Sequence, residues 1–208
     1  MLSRVAESIY WMGRQIERAE NLARFLEVTL SFDLDQPENV VDPWVPLISV
    51  SGDEEEFNKR FSVCNADTVT RFLAFDIDYP NSMLASLKMA RQNARGVREC
   101  MSSESFELLN DFYHFVSNAA QDQNTKIGSD FFAAVREHAL LFNGVFDGTM
   151  PRDLAWNFFQ LGTHDRTRRQ NITHSGRQVL QPVANGLRCG NRNRRLAMVI
   201  PAVGDQRI

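Results

Sequence analysis

Apolar residues recur at intervals of three and four along the first thirty positions of the chain. The series is Leu2, Val5, Ile9, Met12, Ile16, Ala19, Ala23, Leu26 and Leu30. This spacing puts one apolar side chain per turn on a single face, which predicts one long helix with a packing seam. The opposite side of this helix carries polar residues, and apolar residues such as Trp11 and Phe25 lie before and after them. We therefore expect this helix to lie inside a bundle.

The chain up to residue 164 reads as further helices separated by loop signals, beginning with an acidic loop over residues 32–43. The predicted helices cover residues 2–30, 44–50, 54–61, 67–75, 82–101, 105–121, 129–146 and 151 onward. Asp67 is a predicted N-cap, as is Asn81 or Ser82. Gly148 separates the last two helices, and Pro151 suits the first turn of the last one. No stretch before residue 164 alternates like a half-buried strand. The fold class indicated is all-α, a helical bundle that is incomplete at its C-terminal end.

Composition and cysteine content narrow the class of protein. With 43% hydrophobic residues in 208, the chain can bury a full core. It has no apolar run long enough for a membrane span and no secretion signal, so a cytoplasmic location without membrane contact is expected. Cys64, Cys100 and Cys189 are far apart and odd in number, which favours neither a disulfide framework nor a zinc site.

Charge is divided unevenly along the chain. Residues 1–164 contain 14 Lys and Arg against 24 Asp and Glu, whereas residues 165–208 contain 9 Arg against 2 Asp. A basic tail commonly indicates nucleic-acid or membrane binding. This tail, however, has no helical period and no apolar face, and it follows an interrupted repeat. The first helix contains G-R-Q-I-E-R-A from Gly13, and the last predicted helix reaches L-G-T-H at residues 161–164 in the same style before the pattern stops.

A displacement of one nucleotide restores the interrupted pattern. Codons permitted for residues 165–181, read from the second base, spell I-E-R-A-D-K-T-S-R-I-L-D-V-K-Y-F, which continues the echo of I-E-R-A-E-N-L-A-R-F-L-E-V in the first helix. Further on, the same frame permits W-Q-W-S-S-L-L. We interpret residues 165–208 as an out-of-frame tail, unstructured or poorly packed, and therefore do not predict nucleic-acid binding. Because the closing helices are lost, uncovered apolar faces should favour self-association.

Two segments resemble the bacterial alpha-E domain family. The chain begins M-L-S-R-V-A-E-S-I-Y-W-M-G-R-Q-I-E-R-A-E-N-L-A-R, and P-N-S at residues 80–82 is followed by A-R-Q-N-A-R at residues 90–95. The opening motif is specific, because its length and composition exceed what helix formation demands. The resemblance covers residues 1–164 as an alpha-E-type helical domain. It departs from the family at Asp165, where the second E-R-A motif is missing.

The resemblance implies an all-helical fold with no established reaction. Family members are typically encoded beside an ATP-grasp protein that resembles a peptide or amide ligase, and often beside a transglutaminase-like protein. The role implied is that of an accessory or interaction protein in a peptide synthesis or modification system, with those two proteins as its partners. The alternative is an enzyme that acts on a peptide or amino-acid substrate through a polar cavity.

The candidate ligand- or partner-binding residues form a polar cluster on the two long helices. They are Arg14, Glu17, Arg18, Glu20, Arg24, Arg91, Asn93 and Arg95. One interpretation is a network of ion pairs, since Arg14–Glu17 and Glu20–Arg24 have i,i+3 and i,i+4 spacing. The other is a shared cavity, in which the arginines hold a carboxylate or phosphate in bidentate fashion.

Other chemistry finds little support in the sequence. A di-metal bundle site needs Glu-x-x-His on facing helices, and neither Glu17 nor Glu20 has a histidine three residues later. No serine or cysteine occupies a nucleophile elbow, and His114 beside aromatic residues indicates packing. There is also no glycine loop that would cradle a phosphate. We therefore predict no catalytic residue, metal or cofactor.

Overall fold

A computed structural model of the chain describes residues 1–35, 42–122 and 127–164. Every regular element in this part of the chain is helical, which confirms the all-α fold class. The α-helices are α1 (Ser3–Asp35), α2 (Trp44–Ser51), α3 (Glu54–Arg60), α4 (Ala66–Thr70), α5 (Met83–Gly96), α6 (Ser103–Gln121), α7 (Ser129–Thr149) and α8 (residues 154–164). A π-helical turn, Arg71–Phe75, continues α4. The predicted out-of-frame tail, residues 165–208, lies outside the described residues.

Helix α1 is the central rod of the bundle. It is 33 residues long, or roughly 50 Å at the α-helical rise, and packs mainly against α5 and α7. The seam read from the sequence is buried from Ile9 through Met12 and Ile16 to Leu26, each with at most 1% of its surface exposed. The prediction of one long helix inside a bundle is therefore confirmed.

Aromatic side chains join α8 to α7. The ring of Phe159 on α8 lies 4.0 Å from that of Phe146 and 6.0 Å from that of Phe142, centroid to centroid. All three rings are buried. On the solvent side of the same junction, the indole Nε1 of Trp156 donates to the carboxylate of Asp147 at 2.7 Å. These contacts fix where α8 emerges from α7, and hence how it meets α1.

Two predicted boundaries near the N-terminal half were wrong. Helix α4 is capped by Asn65 rather than Asp67: the Asn65 side chain accepts from the Thr68 N–H at 2.9 Å, and the Thr68 hydroxyl accepts from the Asn65 N–H at 3.1 Å. This reciprocal capping box satisfies two backbone donors at once, which a cap at Asp67 would leave open. Helix α1 also runs on to Asp35, so the predicted loop from residue 32 is partly helical.

The predicted extent of α5 was also wrong. Ser82 caps the helix as expected, since its Oγ accepts from the Ala85 N–H at 3.1 Å. The helix ends at Gly96, however, and a 3₁₀ turn over Arg98–Cys100 follows instead of a continuous seam to Met101. A glycine next to a β-branched residue weakens the last helical turn, and Val97 remains buried without being helical.

The α7–α8 junction differs from the prediction as well. Helix α7 continues through Gly148 because its last turn is tied to α6, where Thr149 Oγ1 lies 2.9 Å from Ser102 Oγ. Helix α8 then begins at residue 154 rather than at Pro151. Asp153 determines this start, since its carboxylate accepts from the backbone N–H groups of Ala155 at 2.8 Å and Trp156 at 3.2 Å.

Candidate functional site

Helices α1 and α8 cross at two glycines. A Cβ atom on Gly13 would lie 2.9 Å from the carbonyl oxygen of Phe159, and one on Gly162 would collide with the carbonyl oxygen of Tyr10. Both residues are buried. No side chain fits between the two backbones at this point, so glycine is required on each helix. The close approach brings the polar side of α1 against the last turn of α8.

A cleft of about 270 Å³ opens beside this crossing. Helix α1, helix α7 and the end of α8 all contribute to it. The residues that line it are Glu17, Glu20, Asn143, Phe159, Gln160, Thr163 and His164. The lining therefore combines two carboxylates with amide, hydroxyl and imidazole groups over an aromatic floor.

The two glutamates of the cleft differ in burial and partners. Glu17 is 7% exposed, and its carboxylate accepts a hydrogen bond from the Asn21 side chain one turn later. Glu20 pairs with Arg24 at 2.7 Å, and the arginine side chain is half in solvent. The predicted i,i+4 pair Glu20–Arg24 is thus confirmed. Because Arg24 extends outward from Glu20, it holds that carboxylate without closing the cleft.

Arg18 is directed to a different part of the bundle. Its guanidinium donates to Asn81 Oδ1 at 2.9 Å and reaches Gln15 Oε1 at 3.5 Å. Asn81 directly precedes the cap of α5, so this contact ties α1 to the start of α5. Tyr79 lies next to the same turn, stacked on Phe72 at 4.2 Å, and burial raises the pKa of its phenol well above the ordinary value. Arg14 is partly buried on α1, between the two regions.

The candidate residues of α5 do not line the cleft. Arg91 donates from Nε to Asn110 Oδ1 on α6 at 2.5 Å, and its guanidinium lies 5.0 Å from the centre of the Tyr113 ring. Asn93 is partly buried and Arg95 is exposed. The residues predicted as one cluster are therefore not brought to one place: Glu17 and Glu20 line the cleft, Arg18 lies at the α1–α5 junction and Arg91 at the α5–α6 junction. A binding role for them remains a prediction.

The carboxylates of the cleft can attract a cation or accept hydrogen bonds from a protonated amine. No arginine or lysine lines it among the described residues, whereas Glu17 and Glu20 place carboxylate oxygens there. His164 also lines the cleft, and its Nδ1 lies at hydrogen-bond distance, 2.8 Å, from the carbonyl oxygen of Gln160. In the described part of the chain, no group of three or more His, Cys, Asp or Glu side chains has a metal-binding arrangement.

Sequence reasoning missed the part of the cleft that α7 and α8 supply. Asn143, Gln160 and Thr163 have no chemical signature of their own, since amides and hydroxyls on helices are usually solvated. The sequence does contain a signal, namely the similarity between the segments around Gly13 and Gly162. It places Thr163 and His164 at the positions that Arg14 and Gln15 occupy on α1. The repeated motif was the sequence signal for a contact between the two helices that carry it, α1 and α8.

Fold and site together define an all-α bundle protein, organised on one long helix whose residues Glu17 and Glu20 border a cleft. A family model described as a predicted alpha-helical domain with a conserved ER motif matches residues 1–175, and the chain belongs to this family, Alpha-E. Glu17-Arg18 is the single Glu-Arg dipeptide in the sequence. The glutamate of this dipeptide lines the cleft, and the arginine joins α1 to α5.

Curated relatives are uncharacterized proteins of Mycobacterium bovis and of two strains of Mycobacterium tuberculosis. Each is 25% identical to the chain over 178 aligned residues, a region that covers 76% of this chain and 20% of the relative. The chain thus spans about a fifth of the length of these relatives. No solved structure matches the chain significantly. In the described residues, no helix has the length and apolar character needed to cross a membrane.

Proposed function

We propose that this protein is a helical accessory protein that binds an ATP-grasp ligase-like partner in a peptide synthesis or modification system of the cytoplasm. A transglutaminase-like protein is the second partner that we propose. The partners come from the family resemblance, and the accessory role is argued from the arrangement of charged and apolar groups. An enzyme and an interaction protein make different demands on these groups.

One observation carries the accessory role: three of the five arginines of the polar cluster have their partners within the bundle itself. Arg24 pairs with Glu20, Arg18 with Asn81 and Arg91 with Asn110. An enzyme that held an anionic substrate would gather such guanidinium groups around one open pocket. Here Arg18 and Arg91 stabilise junctions between helices and Arg24 pairs within α1, while large apolar side chains remain exposed elsewhere, for example Leu161 at 58%. Exposed apolar side chains of this kind fit a protein that binds partners.

The relatives support the same proposal. In each of them the matched region occupies 20% of a longer protein. A domain that occurs within a longer polypeptide lies next to other domains, so its surface can serve for contacts with them. A separate chain of the same family can supply those contacts in trans.

The test is co-purification of the tagged protein with the ATP-grasp protein encoded near it, followed by titration of the two purified proteins. We expect a stoichiometric complex. Leu161→Glu should weaken it and leave helicity unchanged, whereas Val63→Glu, at an exposed position in the loop between α3 and α4, should have no effect. No complex at micromolar concentrations with the folded protein would contradict the proposal.

The cleft favours a second candidate, an enzyme that acts on a peptide or amino-acid substrate. Buried Glu17 and the imidazole of His164 both line it, and a carboxylate with an imidazole is a common acid–base pair. In that case the purified protein alone should convert a peptide or amino-acid amide, and Glu17→Gln should abolish the conversion. Turnover that Glu17→Gln leaves unchanged would exclude this role for the cleft.

A further inference from the structure

Four cations follow one another along α5 and the 3₁₀ turn after it. We call them the α5 basic stripe: Lys88, Arg91, Arg95 and Arg98. The first three lie on one face of the helix because they are three and four residues apart, and Arg98 lies in the turn. Lys88 and Arg95 are exposed, and their positions are about 10 Å apart along the helix axis.

The stripe differs from other cations of the protein in its lack of ion pairs. In the part of the chain that the structure describes, none of its four side chains lies within ion-pair distance of a carboxylate, whereas other cations do have such a partner: Arg24, Lys59, Arg60, Arg71, Arg136 and Arg152. Carboxylates are not scarce, since residues 1–164 contain 24 Asp and Glu against 14 Lys and Arg. The stripe is therefore a local excess of positive charge on an acidic domain.

Two arginines of the stripe are held in place by aromatic rings of α6. The guanidinium of Arg91 lies 5.0 Å from the centre of the Tyr113 ring, and that of Arg98 lies 4.3 Å from the centre of the Phe106 ring. Asn110 accepts a hydrogen bond from Arg91 Nε but leaves the positive charge of the guanidinium uncompensated. Because a stacked guanidinium has already lost side-chain freedom, it binds a carboxylate at a smaller entropic cost.

The surroundings of the stripe favour a short anionic segment over a long polyanion. Glu104, Glu107 and Asp111 are exposed on α6, the helix on which the stripe arginines lie. Charges within about 10 Å of one another are only partly screened at physiological salt. A nucleic acid or an anionic membrane would extend past the stripe and meet these carboxylates. A protein segment can place its own carboxylates on the stripe alone.

We propose that the α5 basic stripe binds an acidic helix of the ATP-grasp ligase-like partner, an inference that rests on the proposed accessory function. A helix that lies along α5 has the same rise per residue, so its carboxylates at intervals of three, four and seven residues reach the successive cations of the stripe. Arg91 and Arg98 each bind a carboxylate through paired N–H groups. Lys88 and Arg95 add positive charge at the edge of the contact.

The experiment titrates the partner with a double variant of the stripe, Lys88→Glu with Arg95→Glu, by isothermal titration calorimetry. Both side chains are exposed, so circular dichroism should show unchanged helicity. The variant should bind roughly tenfold more weakly or worse, because like charges then face each other across the interface. Raising the salt from about 50 to about 300 mM should weaken binding of the unaltered protein, and affect the variant much less.

The matched control carries the same two substitutions at cations that already have carboxylate partners, Lys59→Glu with Arg71→Glu. Lys59 pairs with Glu56 and Arg71 with Asp67, and the two cationic side chains are 63% and 57% exposed. The two double variants have the same net charge, so general repulsion between acidic proteins affects them equally. The control should bind the partner as the unaltered protein does.

The outcomes separate this inference from the function on which it rests. A complex that both double variants weaken equally, or that neither changes, would overturn the inference and leave the accessory function standing. Absence of any complex with the unaltered protein would contradict both. Self-association that only the stripe variant abolishes would overturn the inference in favour of a second copy. Tight binding of a short DNA duplex that only the stripe variant loses would overturn it in favour of nucleic acid.

Discussion

Gly13 and Gly162 occupy equivalent positions on the two helices whose backbones meet at the core of this protein. A Cβ at Gly13 would come within 2.9 Å of the Phe159 carbonyl oxygen, and at Gly162 the nearest atom is the Tyr10 carbonyl oxygen. The pair fixes the distance between α1 and α8. It also determines that Glu17 and Glu20 share a cleft with Thr163 and His164. The candidate site therefore depends on two residues that take no part in its chemistry.

Substitution of Gly162 tests this dependence. Gly162→Ala should destabilise the protein by about 1–3 kcal/mol, because two rigid backbones must separate to admit one methyl group. Chemical denaturation monitored by circular dichroism measures the change. The control is Gly144→Ala, at an exposed position inside α7 with open space around it. That substitution should stabilise the protein by up to about 1 kcal/mol, since it removes the helix cost of glycine. Equal effects of the two substitutions would contradict the crossing.

The ion pair between α1 and α7 should contribute more than the other pairs. Arg136 Nη1 lies 2.5 Å from Glu27 Oε2, and both side chains are largely shielded, at 34% and 19% exposure. Arg136→Ala should cost about 1–2 kcal/mol, between the values for exposed and buried pairs. Arg71→Ala, which breaks the exposed i,i+4 pair with Asp67, should cost less than about 0.5 kcal/mol. If both variants unfold at the same denaturant concentration, the inter-helix pair has no special role.

The seam of α1 and the cap of α5 were predictable because they are local properties. A 3–4 apolar spacing leaves one way to bury a helix, and Ser82 is an N-cap by chemistry as well as by position. The end of α7 was not predictable in this way. Gly148 is a local signal for termination, but the hydroxyl cluster of Thr149 and Ser102 keeps the last turn helical through a contact between helices.

The candidate site was only partly predictable for the same reason: contacts between helices do not follow from residue spacing on one helix. Glu20–Arg24 follows from spacing on one helix, and the structure contains it. Arg91 and Asn110 are on different helices, so their contact depends on how α5 packs against α6. The hypothesis of a shared cavity placed Arg91 with Arg18, whereas in the structure they bond to different residues, Asn110 and Asn81. The members of the cleft on α7 and α8 depend on the glycine crossing for the same reason.

Cys100 should react slowly with alkylating reagents. Burial raises the pKa of its thiol, and the nearby carboxylates of Glu99 and Asp153 act in the same direction. At a given pH the folded protein therefore has less thiolate at Cys100 than an ordinary cysteine has. Iodoacetamide labelling of a variant with Cys64→Ser and Cys189→Ser, followed by mass spectrometry from pH 7 to pH 10, measures the rate. Labelling should accelerate with pH and become ordinary in urea; a folded-state rate equal to the urea rate at every pH would contradict this.

The exposed leucines of α8, Leu154 and Leu161, should make the protein self-associate. Burial of exposed leucines between copies gains roughly 25 cal/mol for each Å² of apolar surface, and a charge at that surface opposes it. Leu161→Glu should therefore shift the protein toward monomer in analytical ultracentrifugation. Val28→Glu is the matched control, with 59% exposure on α1 against 58% for Leu161. A protein that is monomeric at high micromolar concentration would contradict the expectation.

The measurement that tests the central claim most directly is the nucleotide sequence of the gene from codon 160 to codon 202. The account holds that α8 is the start of a second copy of α1, interrupted after His164. It predicts that the DNA, read from the second base of codon 165, encodes I-E-R-A-D-K-T-S-R-I-L-D-V-K-Y-F and then an amphipathic helix. A sequence in which that frame soon meets a stop codon, or encodes no helical pattern, would contradict the account.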